Sequence, residues 1–229
     1  HHLIPSHITN NAMSDLQPQI LSSSTPSELL AYIIAYHTHP TTLLIGCTKT
    51  DFLSTIASEF SLPPSSEDDT SDTPKRHIIK NTLLQVAISR HIRVVFIPTI
   101  AHLRAYLSVF TGKSSIPPPP ALYETDKSPK KTPLLLFYGF LELHREGSEW
   151  SAQGIGISAA TFVEAAARCG FRAAVMEPRT GDEKTVFEEN VPLLNGAVQK
   201  DDGSWSGRTV TTKRVLGRWF VDYDIRHLI

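Results

Sequence analysis

Four short runs of uninterrupted apolar residues punctuate the chain, at residues 42–47 (TLLIGC), 94–97 (VVFI), 134–138 (LLLFY) and 173–176 (AAVM). Each is too short to make a helix and none alternates apolar with polar, the pattern of a strand buried on both faces of a parallel sheet. Helical periodicity separates them. Leu29, Leu30, Ile33 and Ile34 fall on one face of a helix that ends near residues 37–40. Its start is marked by Thr25 as N-cap, Pro26 at the first helical position and Glu28 closing a capping box. Further helices are predicted over residues 51–60, 77–89, 100–110 and 151–169, the last closed by Gly170 where helices leave through a left-handed residue.

The last part of the chain changes character. Residues 210–215 and 219–223 are rich in β-formers on either side of Leu216-Gly217 and read as an antiparallel hairpin. Strands alternating with helices, then a hairpin, predict an α/β fold: a mostly parallel sheet flanked by helices, with a C-terminal antiparallel hairpin. Residues 62–76 (LPPSSEDDTSDTPKR) offer almost nothing to bury, and residues 112–132 contain four consecutive prolines and several lysines, so both read as flexible inserts. Pro117, Pro118, Pro119 and Pro120 suit a stiff spacer first and a polyproline ligand second.

Composition adds limits. Residues 1–12 precede Met13 and open on two histidines, so they read as an added leader, and residues 13–229 as a single domain. A hydrophobic content of 41% supports a sizeable core. Cys47 and Cys169 both lie in apolar surroundings and suggest neither a disulfide scaffold nor a zinc site. With no run long enough to span a bilayer and no secretory leader, the reading is of an intracellular, soluble protein. The formal charge of −1 hides two basic tracts: six Lys/Arg and no acid over residues 75–104, and five against two acids over residues 208–226. Ordinary solvated surface is the first reading of each, and a polyanion contact the second.

The order of segments resembles that of RecA-type recombinases. Residues 18–46 (PQILSSSTPSELLAYIIAYHTHPTTLLIG) sit like the first strand, phosphate loop, following helix and second strand of that family. TLLIGCTKTDFLSTIASEF and RVVFIPTIAHLRAYLSVF resemble the next strand-helix pairs, and PLLLFYGFLELHRE stands where the strand carrying the metal-binding aspartate would be. SAQGIGISAATFVEAAARCGFRAAVMEP is similar to the long helix and strand before the second DNA-binding loop, and GRTVTTKRVLGRWFVDYDI to the closing hairpin. The family's invariant motifs are missing. A phosphate loop needs glycines to expose amides, a lysine for the terminal phosphates and Ser/Thr for magnesium. Residues 22–27 (SSSTPS) have no glycine or lysine, and Pro26 removes an amide donor. The metal-binding acid would fall near Tyr138, which cannot ligate a hard cation through a carboxylate.

The resemblance therefore implies a degenerate RecA-like subunit that is not an enzyme and needs no cofactor and no metal. It implies hetero-oligomeric partners of RecA-like type, an accessory role in homologous recombination and DNA repair like that of Shu-complex subunits, and a nuclear setting. An Elongator-type subunit in transfer-RNA modification, or a structural scaffold, is the alternative. Single-stranded DNA would be met through backbone phosphates by Arg179 and Lys184, in the loop after the fourth apolar run, and by Lys213 and Arg214 in the hairpin. Phe187 and Trp150 are the nearest candidates for base stacking. Other chemistry is weaker: His37 and His39 have no third ligand at metal spacing, Gly154-Ile155-Gly156 with Ser158 lacks the strand of a nucleophile elbow, and Glu142 reads as a surface residue before a catalytic one.

Overall fold

The computed structural model describes residues 16–36, 39–61, 83–113, 116–118, 132–145, 147–179 and 186–225. Its elements run β1 (Gln19–Ser24), α1 (Pro26–Tyr36), β2 (Thr41–Ile45), α2 (Lys49–Ser61), α3 (Leu83–Ser89), β3 (Ile92–Phe96), α4 (Ile100–Val109), β4 (Leu134–Tyr138), α5 (Phe140–Arg145), α6 (Ala152–Arg168), β5 (Arg172–Pro178), a 3₁₀ turn (Val186–Glu188), β6 (Asn190–Pro192), β7 (Thr209–Thr211), α7 (Thr212–Leu216) and β8 (Val221–Tyr223). Six strands form one sheet in the order β3-β2-β4-β5-β1-β8, and every pairing within it is parallel. Residues 1–12, the expected insert 62–76, most of 112–132, the first part of the expected helix 77–89, and Lys184 lie outside the described residues.

The inner strands β2, β4 and β5 are apolar without alternation because both sheet faces are covered there, whereas β3, expected from its apolar run as a buried strand, lies at the sheet edge with Val94 exposed. Ile20, Leu44, Leu135, Phe137, Ala173 and Val175 point to one face, where they pack with Leu103 and Leu107 of α4, Phe162 of α6 and Val215 and Leu216 of α7. Their neighbours Leu21, Leu43, Ile45, Leu134, Leu136, Tyr138, Ala174 and Met176 point to the other, against Leu29 and Ile33 of α1 and Phe52 of α2. All five residues of β2 and of β4 are buried. Helix α6 begins as the pattern predicts, with Ser151 Oγ accepting the Gly154 N–H, and the chain leaves it through Gly170 at φ +73.

An antiparallel pair does lie near the C-terminus, but its partners differ from the expected ones. It joins β6 to β7, with Asn190 opposite Thr211 and Pro192 opposite Thr209. Residues 212–215 of the expected strand, together with Leu216 of the expected turn, are the helix α7, because Thr211 caps it by accepting the Arg214 N–H and Thr212 Oγ1 is drawn to Val186 O at 2.7 Å. Residues 221–223 then enter the main sheet as β8, parallel to β1, instead of folding back on β7. Local β-propensity here is overridden by capping and packing. Helix α5 is likewise unforeseen: Glu142 sits on it and not on the end of a strand.

Candidate functional site

The carboxyl ends of strands are where ligands meet open parallel sheets, and the end of β1 is the place a phosphate loop would occupy. No loop exists there. Strand β1 stops at Ser24, α1 starts at Pro26, and Thr25 alone connects them. The predicted capping box forms reciprocally: the Thr25 N–H donates to Glu28 Oε2 at 2.9 Å and the Glu28 N–H to Thr25 Oγ1 at 3.4 Å. The Ser27 N–H donates to Glu59 Oε2 of α2 at 3.3 Å, and Pro26 has no N–H to give. The amides that could wrap an anion are thus already bound to the chain's own oxygens, two of them to carboxylates.

Strands β4 and β5 close the junction from the side. Tyr138 donates its hydroxyl to Ser24 O at 3.0 Å, and the Arg179 N–H reaches the same carbonyl at 3.1 Å. Burial first, and then the carboxylates of Glu59, Glu177 and Glu28 with Cys47 between them, push the Tyr138 phenol well above its usual range, so it stays a neutral donor. Gly46, after β2, lies so close that a Cβ there would sit 2.5 Å from Gly139 O, and Gly139 itself takes φ +78. Just past the ends of β2 and β4 the two chains therefore pack backbone to backbone.

Two further ionisable groups are buried, Glu177 near Tyr138 and His144 on α5, and sequence reasoning gave neither a role. Glu177, fully buried at the end of β5, accepts the Leu141 N–H at 2.8 Å and so caps α5, while its Oε2 has no partner among the described residues. Burial pushes its carboxyl up to about 8 despite those backbone hydrogen bonds. His144, also fully buried, donates from Nδ1 to Phe140 O at 2.7 Å and packs its ring on that phenylalanine. Burial holds it down to about 4, neutral at pH 7. The only sequence signal for either is a lone polar residue inside or ending an apolar run.

Three of the four expected nucleic-acid residues, Arg179, Lys213 and Arg214, are among the described residues. Arg179 is held by Glu28 Oε1 at 2.9 Å and Ser23 O at 3.4 Å. Lys213 lies on α7, paired with Asp222 Oδ2 of β8 at 2.8 Å, and Arg214 is exposed beside it. Arg179 and Lys213 share no partner, and Lys184 is outside the described residues. Exposed pairs of this kind are worth under about 1 kcal/mol and can open toward a phosphate. The stacking candidates fare worse: Phe187 is buried in the core, and Trp150 already carries the Arg145 guanidinium 4.7 Å from its ring centroid.

The remaining candidates resolve into structure. Glu142 pairs with Arg145 at 3.2 Å, and the same arginine reaches Glu189 at 2.8 Å. His39 Nε2 donates to Ile116 O at 2.9 Å, His37 is outside the described residues, and no cluster of three metal-ligating side chains occurs among the described ones. Gly154 lies inside α6, where a Cβ would meet Glu149 O at 2.4 Å, and Ser158 is buried on the same helix. Both cysteines are free and half-buried. No helix among the described residues is long and apolar enough to cross a membrane.

No family of known proteins, no curated protein and no solved structure matches the chain.

Proposed function

We propose that this chain is a non-catalytic, RecA-like subunit that works through assembly with other RecA-like proteins, as an accessory factor in homologous recombination and DNA repair. The observation that carries the non-catalytic part is the closed β1–α1 junction: a parallel sheet with its anion-binding amides already bound by Thr25, Glu28 and Glu59. A triphosphate arriving there would have to displace two carboxylates and would meet neither lysine nor glycine. The strand order and flanking helices are consistent with a RecA-like fold, and the recombination context rests on the segment resemblances in the sequence.

Two measurements test this reading. Calorimetry with ATP and magnesium should give no micromolar binding, and such binding or magnesium-dependent turnover would overturn the non-catalytic assignment. Native co-purification should recover recombinase paralogues, whereas Elongator subunits in their place would move the assignment to transfer-RNA modification. If DNA is a ligand of the assembled complex, changing Arg179, Lys184, Lys213 and Arg214 to alanine should flatten the salt dependence by roughly 0.7 log units per lost single-strand contact.

A further inference from the structure

The chain from Leu83 to Lys113 contains no aspartate or glutamate, and it forms one margin of the molecule: α3, the edge strand β3 and α4. Three of its bases, Arg90, Arg93 and Lys113, are set at the amino end of β3. Arg90 is exposed in the turn that enters the strand. Arg93, the second residue of the strand, lays its guanidinium 5.8 Å from the centre of the Tyr106 ring, so the last part of α4 lies beside the start of β3. Exposed Lys113 follows that helix, and two imidazoles fix where the chain goes next: His91 Nδ1 donates to Pro117 O at 2.6 Å and His39 Nε2 to Ile116 O at 2.9 Å. Lys113 precedes Pro117 by four residues, a span of at most about 14 Å, and His91 is the neighbour of Arg90.

None of the three bases forms an ion pair among the described residues. Acids that approach this margin from the side of α6 are already taken, Glu149 by Arg104 at 3.0 Å and Glu164 by Arg168 at 3.1 Å. Glu28, Glu59 and Glu177 gather around the end of β4, where Tyr138 feels all three, and that is the opposite end of the sheet.

We propose that this basic corner binds the phosphate backbone of single-stranded nucleic acid. The proposal deepens the function proposed above, and rests on it for nucleic acid as the polyanion. A guanidinium forks onto phosphate through two parallel N–H donors, and Arg93, braced on Tyr106, has less freedom to lose in doing so than a base on a loose stem. Bases without an acid partner also give up no ion pair when a phosphate arrives. Arg179 and Lys213 differ in this, because Glu28 and Asp222 must first be displaced from them. The half-buried Tyr106 ring lies under Arg93 and is not open for stacking on a base, so the corner reads phosphate and tolerates any sequence.

The test is fluorescence anisotropy of a labelled oligothymidine titrated with the full chain at two salt concentrations. Three contacts at roughly 0.7 log units each predict an affinity that falls about a hundredfold for a tenfold rise in salt. Replacing Arg90, Arg93 and Lys113 together by alanine should remove most of that slope. A second variant, Arg90→Glu with Lys113→Glu, changes only exposed positions and keeps the Arg93–Tyr106 contact; it should abolish binding at low salt with the thermal melt in place. Vesicles of phosphatidylserine and phosphatidylcholine should not sediment the chain. A wild type that ignores oligothymidine at low salt, a slope that both variants leave unchanged, or vesicle binding in place of oligothymidine binding would each overturn the proposal. Native co-purification answers separately. Paralogues recovered with a chain that ignores oligothymidine would sink this surface alone, whereas Elongator subunits recovered with a chain whose variants lose binding would sink the recombination reading alone.

Discussion

The β1–α1 junction and the β8 edge lie on neighbouring strands of one sheet, yet they treat their polar groups in opposite ways. At the junction, the amides are engaged by Glu28, Thr25 and Glu59, and Ser24 O accepts from both Tyr138 and Arg179. At the edge, a strand of three exposed residues turns the backbone groups of Asp222 to solvent. A parallel sheet need not keep free amides where its topology would place an anion: here the strand end satisfies them within the chain, and the margin leaves them exposed.

The contrast can be pressed with substitutions, beginning with the interior that supports both regions. Phe162 is fully buried between Phe137, Phe140 and Phe220. Phe162→Ala should cost about 3–5 kcal/mol in denaturant unfolding, whereas Val221→Ala at the exposed edge should stay within about 0.5 kcal/mol. Similar losses at the two positions would mean that β8 is covered in the monomer.

The next effect concerns pH and the acid beside the junction. Glu177 is raised from 4.5 to about 8 in the folded protein, so the unfolded chain ionises first and stability falls as pH rises across that interval. His144 is lowered from 6.5 to about 4, so its contribution is intact above 6.5 and is lost as pH falls toward 4. Between pH 4.5 and 6.5 the two slopes oppose each other; between 6.5 and about 8 only Glu177 acts. There stability should drop by on the order of 1 kcal/mol per pH unit, and Glu177→Gln should remove the slope. Urea unfolding at several pH values measures this, and an unchanged slope in the variant would show that Glu177 is not the group responsible.

The smallest effect is at the cap itself. Thr25→Ala removes the Oγ1 acceptor for the Glu28 N–H and should cost about 1 kcal/mol, while Thr25→Ser keeps it. Equal loss in both variants would mean that the threonine methyl, not the hydroxyl, matters there.

Much of this architecture could be read from the residues. The runs LLI, LLLFY and AAVM carry no polar alternation because helices cover both faces, and that covering is itself what the pattern encodes, whereas VVF shows the same pattern on the edge strand β3 although Val94 is exposed there. The Thr25-Pro26-Ser27-Glu28 cap was legible because it is local. β1 was harder: QILSSS has only two strong apolar residues, and its serines look like loop until Asp224 and Tyr138 supply their bonding partners from distant parts of the chain. The C-terminal segment misled for the same reason, since Thr211 and Thr212 read as strand formers but act as a cap and a tether. Glu59 and Glu177 gave little sign of their roles, because a carboxylate's partners are set by tertiary approach and not by its neighbours in sequence.

The position of β1 has a further consequence, for the order in which the molecule can be made. Its two sheet neighbours are β5 and β8, and Ser22 donates its hydroxyl to Asp224, 202 positions later. A strand made before both its neighbours must therefore wait, unpaired, until first β5 and then β8 have followed it. Closing so long a loop is entropically slow, and an unpaired strand is a standing invitation to wrong partners. The polar Ser22, Ser23 and Ser24, which look ill-suited to a central strand, keep half of β1 soluble during that wait.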